Sequence, residues 1–206
     1  MKQQVFYIHG GSSYSSYEDY LDDLVNQPLR SASDQLPAQK WPTKLRGALG
    51  AGYKVFMPEF PNKHNSKYQE WKVWFEKHFK YIQDEVILVC WSQGGMFITK
   101  YLAENEIPFT IKGLFLLASP FDFCVTQGMK EDGGDFYADT KDIPVLAEKV
   151  QHITILHSED DFVVSYEHAL KYKKALPQAE LVTFTDKNHF LVEELPELVE
   201  RIRAIS

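Results

Sequence analysis

The stretch Val86-Ile87-Leu88-Val89-Cys90-Trp91-Ser92-Gln93-Gly94-Gly95 decides how this chain folds. Its first four residues form a short, unbroken apolar run, the pattern of a strand buried on both faces. After the glycines, Met96-Phe97-Ile98-Thr99-Lys100-Tyr101-Leu102-Ala103 has the composition of a helix. A serine on the tight turn between such a strand and helix has its hydroxyl lifted clear of the sheet. The backbone N–H groups that follow it then open a helix N-terminus, where negative charge is favoured. The usual form of the turn is Gly-x-Ser-x-Gly, and here Cys90 replaces the first glycine.

Outward from this turn the chain alternates. Apolar runs bounded by Gly, Pro or charged residues predict strands at 5–8, 53–57, 86–89, 112–117, 152–156 and 180–184. Helices are expected at 44–49, 68–79, 166–175 and 190–205. In the second of these, Trp71, Trp74, Phe75, His78 and Phe79 recur at three- and four-residue spacing, a stripe that suits core packing better than a substrate platform. Six strands interleaved with helices predict an α/β fold with a mainly parallel sheet covered on both faces. The chain has 206 residues, which suits one domain over 1–206. Two segments break the alternation. Residues 26–41 contain Pro28 and Pro37 and should wander over the surface; residues 120–144 contain Gly128, Gly133 and Gly134 and could be a lid or a surface excursion.

Charge and cysteine usage narrow the function. The chain carries 22 Lys and Arg against 29 Asp and Glu, a formal net charge of −7. That balance argues against nucleic acid as a partner. Cys90 and Cys124 are the only cysteines, which is no disulfide framework and fits a reducing compartment. Met1-Lys2-Gln3-Gln4 leads straight into an apolar strand, and no apolar run is long enough to span a bilayer. A cytoplasmic location without membrane insertion is the expectation. Oligomeric state has no signature here.

A serine hydroxyl is a poor nucleophile until a neighbouring imidazole takes its proton, and that imidazole needs a carboxylate to fix its tautomer. Thr154-Ile155-Leu156-His157-Ser158-Glu159-Asp160-Asp161 presents acids directly after the fifth strand. Thr185-Asp186-Lys187-Asn188-His189-Phe190 presents a histidine after the sixth. Both lie at carboxyl ends of strands, where open α/β sheets build their sites.

With Tyr7-Ile8-His9-Gly10-Gly11, Cys90-Trp91-Ser92-Gln93-Gly94, Ser158-Glu159-Asp160-Asp161-Phe162-Val163-Val164 and Asn188-His189-Phe190, the chain resembles the α/β-hydrolase superfamily. Within it, the chain is similar to the small, cap-poor serine hydrolases related to retinoblastoma-binding protein 9. Tyr68-Gln69-Glu70-Trp71, following Met57-Pro58, resembles a helix of that group. Cys90 and Asn188 stand where the group has glycine. The resemblance implies a three-layer fold with little or no cap. It also implies a Ser92–His189–Asp161 triad that cleaves a small carboxylic ester, thioester or amide through an acyl-enzyme, with carboxylesterase chemistry first. Asp161 is chosen because Asp161-Phe162-Val163-Val164 matches the group's spacing; Asp160 is the alternative and Asp122 a more distant one. The oxyanion would be held by the backbone N–H groups of Gly11 and Gln93, with His9, Gly10 and Trp91 beside the substrate.

Other residues have simpler readings. His9 should brace its own loop, His152 and His157 should be structural, and His64, His78 and His168 should sit on loops or helix surfaces. No ligand spacing points to a metal, and no cofactor is expected. Glu131-Asp132-Gly133-Gly134-Asp135 reads as a solvated acidic loop rather than a calcium site. Tyr14, Tyr17 and Tyr20 could line a pocket or pack on the core. Cys90, at a strand end, should be a small apolar residue rather than a nucleophile. The rival to an enzyme is a binding protein that keeps the fold with little turnover.

Overall fold

The computed structural model describes residues 2–27, 40–125 and 128–206. The expectation for most of 26–41 therefore lies outside the described residues. Six strands form one sheet: β1 (Gln3–Ile8), β2 (Tyr53–Phe56), β3 (Val86–Trp91), β4 (Ile111–Leu117), β5 (Val150–Ser158) and β6 (Glu180–Phe184). Their spatial order is β2-β1-β3-β4-β5-β6 and every neighbouring pair is parallel. The helices are α1 (Tyr17–Asn26), α2 (Trp41–Leu49), α3 (Tyr68–His78), α4 (Gln93–Glu104), the short α5 (Leu146–Lys149), α6 (Glu167–Ala175) and α7 (Pro196–Ala204).

Alternation along each central strand divides the core into two layers, since successive side chains point to opposite faces. Leu88, Cys90, Leu114, Leu116, Ile153 and Ile155 pack with Trp71 and Phe75 of α3, Phe97 and Tyr101 of α4, and Tyr172 of α6. Ile87, Val89, Phe115, Leu117 and Leu156 pack on the other face with Trp41 and Leu45 of α2 and Leu198 and Ile202 of α7. The result is a three-layer α/β sandwich with a parallel sheet, and all β-to-α turns open at one edge.

The closing helix is shorter than the sequence pattern suggests. It begins at Pro196, the first helical position, rather than at residue 190. Proline lacks an N–H and fits only the first turn of a helix, so residues 190–195 run as irregular chain before it. The stripe on α3 is core: Trp71 and Phe75 are fully buried and Trp74 packs beside them. The three tyrosines divide. Tyr14 is buried, Tyr17 is 61% exposed, and α1 buries none of its residues. No helix among the described residues is long and apolar enough to cross a membrane.

Candidate active site

Ser92 is the single residue between β3 and α4, at φ 54 and ψ −121. A non-glycine residue in that left-handed region costs on the order of 1–3 kcal/mol and persists only where its surroundings hold it. Its N–H donates to Leu117 O at 2.8 Å, and its carbonyl accepts from Gly95 N at 2.8 Å. Gly94 explains the glycine after the serine. A Cβ there would lie 2.4 Å from Ile8 O and 2.7 Å from His9 O, so only glycine lets α4 approach β1 this closely. Cys90 needs no such freedom. It is an ordinary β3 residue opposite Ile8, fully buried, and burial pushes its thiol pKa up.

The loop after β1 is fixed by a serine network. Ser12 N donates to Lys63 O at 2.8 Å, and Ser66 Oγ donates to Ser12 O at 2.9 Å. Gln93 Nε2 donates to Ser66 Oγ at 2.8 Å, and Ser13 Oγ donates to Ser66 O at 2.7 Å. Buried Ser66 thus ties this loop to the start of α4. A Cβ on Gly10 would lie 3.2 Å from Ser92 Cβ, and one on Gly11 would lie 2.9 Å from Lys63 O. Among the described residues, the N–H groups of Gly11 and Gln93 donate to no backbone carbonyl. His9 braces this arrangement: Phe60 N donates to its Nε2 at 2.7 Å, so the proton sits on Nδ1, which donates to Gly10 O at 2.6 Å. Burial lowers its pKa, against that bond to Gly10, and favours the neutral ring.

Asp161 and His189 meet after β5 and β6. His189 Nδ1 donates to Asp161 Oδ2 at 2.9 Å, which leaves Nε2 as the ring's acceptor. Asp161 Oδ1 accepts Val163 N at 2.8 Å and Val164 N at 2.9 Å. The side chain is fully buried. Burial works to raise the Asp161 pKa, but hydrogen bonds from His157 and His189 and the backbone hold it well below the usual carboxylate range. His157 is the partner that the sequence did not suggest. Its Nε2 lies 2.9 Å from Val164 O and 3.3 Å from Asp161 Oδ2, and its side chain is 1% exposed. A carbonyl only accepts, so Nε2 carries a proton shared between the two oxygens. The one sequence signal was a histidine directly after the apolar pair Ile155-Leu156.

The competing acids have other partners. Asp160 Oδ1 accepts from Ser158 Oγ and from Asn188 N, clamping the β5 turn to the β6 turn. Asp122 binds Lys171 Nζ at 2.7 Å, and Asp186 is exposed. His168 is buried rather than on the helix surface, and its Nδ1 accepts from Phe121 N at 3.1 Å. Asn188 takes φ 43, which asparagine tolerates better than most residues, and its Oδ1 accepts from Leu191 N at 3.0 Å. That accounts for asparagine in glycine's place. Phe190 follows His189 at φ 53. The Trp91 indole, next to Ser92, donates to His189 O at 3.1 Å and links the serine turn to the histidine turn.

Ser92 opens into a small cavity of about 30 Å³ that it shares with Gly11, Gln93, Met96, Val164 and Glu131. Glu131 corrects the expectation of a solvated loop. Burial pushes its pKa up to about 7 against a hydrogen bond from Ser12, with Asp23 and Asp132 adding to the rise. The segment is stitched down because its backbone finds partners on the β1 loop: Asp132 N and Gly133 N both donate to Ser13 O. Tyr137 Oη donates to Asp132 O at 2.6 Å and accepts from Cys124 N at 2.9 Å. A larger depression of about 510 Å³ between α2 and α7 contains neither Ser92 nor His189. No group of three or more His, Cys, Asp or Glu side chains that could hold a metal occurs among the described residues.

In fold, the chain is similar to the ydeN gene product of B. subtilis, with a TM-score of 0.69 and 17% identity over 99% of this chain and 98% of that one. It is also similar to a Paleococcus ferrophilus monoacylglycerol lipase, at 0.63 and 14% over 98% and 95%. The esterase domain of a Rhodothermus marinus protein follows at 0.60 and 15% over 97% and 82%. No curated protein matches the sequence. The serine hydrolase family pattern matches residues 33–201, most of the chain, and the chain belongs to that family, built on the α/β-hydrolase fold.

Proposed function

We propose that this serine hydrolase cleaves short-chain carboxylic esters with Ser92 as nucleophile, His189 as general base and acid, and Asp161 as the group that orients His189. The observation that carries the reading is the 2.9 Å bond from His189 Nδ1 to a buried, ionised Asp161. That bond leaves Nε2 free to accept a proton, on a turn that Trp91 ties to the nucleophile. In this reading Ser92 Oγ attacks the carbonyl carbon while His189 Nε2 takes its proton. The N–H groups of Gly11 and Gln93 donate to the developing oxyanion, a contribution of about 3 kcal/mol for each donor. The tetrahedral intermediate collapses, His189 returns the proton to the leaving alkoxide, and water then releases the acyl group from Ser92 by the same steps. The small cavity beside Ser92 favours acyl groups of two or three carbons. Residues 1–206 act as one catalytic domain.

Fluorophosphonate labelling and hydrolysis of p-nitrophenyl acetate test this directly. Wild type should label and turn over, and Ser92→Ala should do neither. A folded wild type that fails both tests refutes the proposal and favours a binding protein that has kept the fold.

A further inference from the structure

We propose that Glu131 is a specificity-determining residue that selects acyl groups carrying a hydrogen-bond donor, ammonium or hydroxyl, on the carbon next to the reacting carbonyl. The proposal rests on Ser92 being the nucleophile. Glu131 and Ser92 line one cavity of about 30 Å³. A space of that size holds only a few heavy atoms, so an acyl group bound to Ser92 reaches Glu131 within two atoms of its carbonyl carbon.

The remaining walls mix apolar surface with polar groups, the latter from Gln93, Cys124 and Tyr137. Met96, Pro120, Val163 and Val164 are apolar, and Glu131 is the one carboxyl lining the cavity. A carboxyl in such a place wants a donor. None of the ion pairs among the described residues includes Glu131. Lys130, the neighbouring cation, turns away to Asp22 at 3.1 Å and Asp19 at 3.4 Å on α1. The Ser12 hydroxyl hydrogen-bonds its carboxyl, and Asp23 and Asp132 nearby are like charges. No Lys, Arg or His is among the residues that line the cavity.

The position of Glu131 is also fixed. Asp132 Oδ1 accepts from Ser15 N at 3.0 Å and Gly134 N at 2.9 Å, so the segment cannot swing without breaking bonds to the loop that carries Gly11. A fixed carboxyl beside the acyl group discriminates by gaining a partner from a donor-bearing substrate that an apolar isostere cannot supply.

The test compares p-nitrophenyl esters of three isosteric acids, glycine, glycolic acid and propionic acid, on wild type and Glu131→Gln. Intrinsic reactivity cancels when each donor-to-propionyl ratio of kcat/KM is divided by the same ratio in the variant. The ammonium or hydroxyl ester should show a ratio about tenfold or more higher in wild type, as expected for a hydrogen bond to a charged group. The arm with the larger change identifies the donor. Equal ratios in an active, folded pair overturn the role of Glu131 and leave the nucleophile assignment standing. Failure of wild type to react with fluorophosphonate or with any ester removes both. Should Glu131→Gln not fold, inhibition of wild type by glycinamide and by its isostere propionamide decides: tighter binding of glycinamide supports the proposal, and equal binding overturns it.

Discussion

Replacing Asp161 with asparagine tests the site at its most determined point, because the surroundings dictate how the new amide must sit. Asp161 Oδ1 accepts two backbone N–H groups, from Val163 at 2.8 Å and Val164 at 2.9 Å. Turning the amide nitrogen toward them would leave two buried donors unpaired, at about 1–3 kcal/mol each. The carbonyl oxygen therefore stays there and the NH₂ takes the place of Oδ2. It then faces His189 Nδ1 at 2.9 Å and His157 Nε2 at 3.3 Å. The NH₂ donates to Nδ1, which moves the His189 proton to Nε2 and removes the base that the proposed mechanism requires. A wrong tautomer of this kind lowers kcat by about 10⁴-fold, or about 5 kcal/mol of barrier. The meeting of the NH₂ with the His157 N–H should also lower stability by about 1–3 kcal/mol. The assay is kcat for p-nitrophenyl acetate on folded protein, with Asp160→Asn as control. Asp160 can keep its accepting oxygen toward Ser158 and Asn188, so that variant should stay within roughly tenfold of wild type. If Asp161→Asn remains within tenfold of wild type, or Asp160→Asn falls further, the reasoning about orientation is wrong.

Other perturbations should have equally definite results. His157→Leu removes a buried donor to Asp161 and Val164 O and should lose about 1–3 kcal/mol of stability together with activity, and His157→Gln should restore part of both; equal activity in all three proteins would make His157 a packing residue only. Gly94→Ala should destabilise the fold by about 3 kcal/mol or more in chemical denaturation, because the nearest atom to the new methyl is a backbone oxygen that cannot rotate away. Glu131 should shape stability against pH. Its folded pKa of about 7 lies above the ordinary 4.5, so the folded chain binds more protons between those values and stability falls as pH rises through that window. Glu131→Gln should flatten that decline, by at most about 3 kcal/mol; a wild type whose stability rises across the window would contradict it.

The parallel sheet was legible because its strands carry apolar runs, unbroken at Val5–Ile8, Val86–Trp91 and Leu114–Leu117, and each is followed by a helix or a turn. The meeting of Asp161 and His189 was legible for a different reason: acid and histidine follow successive strands of one parallel sheet, which delivers both to the same edge. Three features were not readable. The 120–144 segment has no periodicity, so nothing in it distinguished Glu131, which lines the cavity, from exposed Asp135 four residues on. His157 looked like a strand terminus because its role depends on a chain reversal that brings Val164 back over it. The early start assigned to the last helix came from apolar spacing at 190–195, where backbone geometry around His189 and the lack of an N–H at Pro196 outweigh pattern.

Among the described residues, Ser92, Ala118, Asn188 and Phe190 take left-handed backbone at the sheet edge that carries the candidate site. They follow β3, β4 and β6, and two of them flank His189. Selection for heat resistance alone would act on these positions first, since relaxing Ser92, Asn188 or Phe190 raises stability while moving Ser92 or the His189 turn. Libraries screened only for soluble expression should therefore accumulate changes at this edge and lose turnover. Pairing each round with fluorophosphonate labelling would keep the strained turns in place.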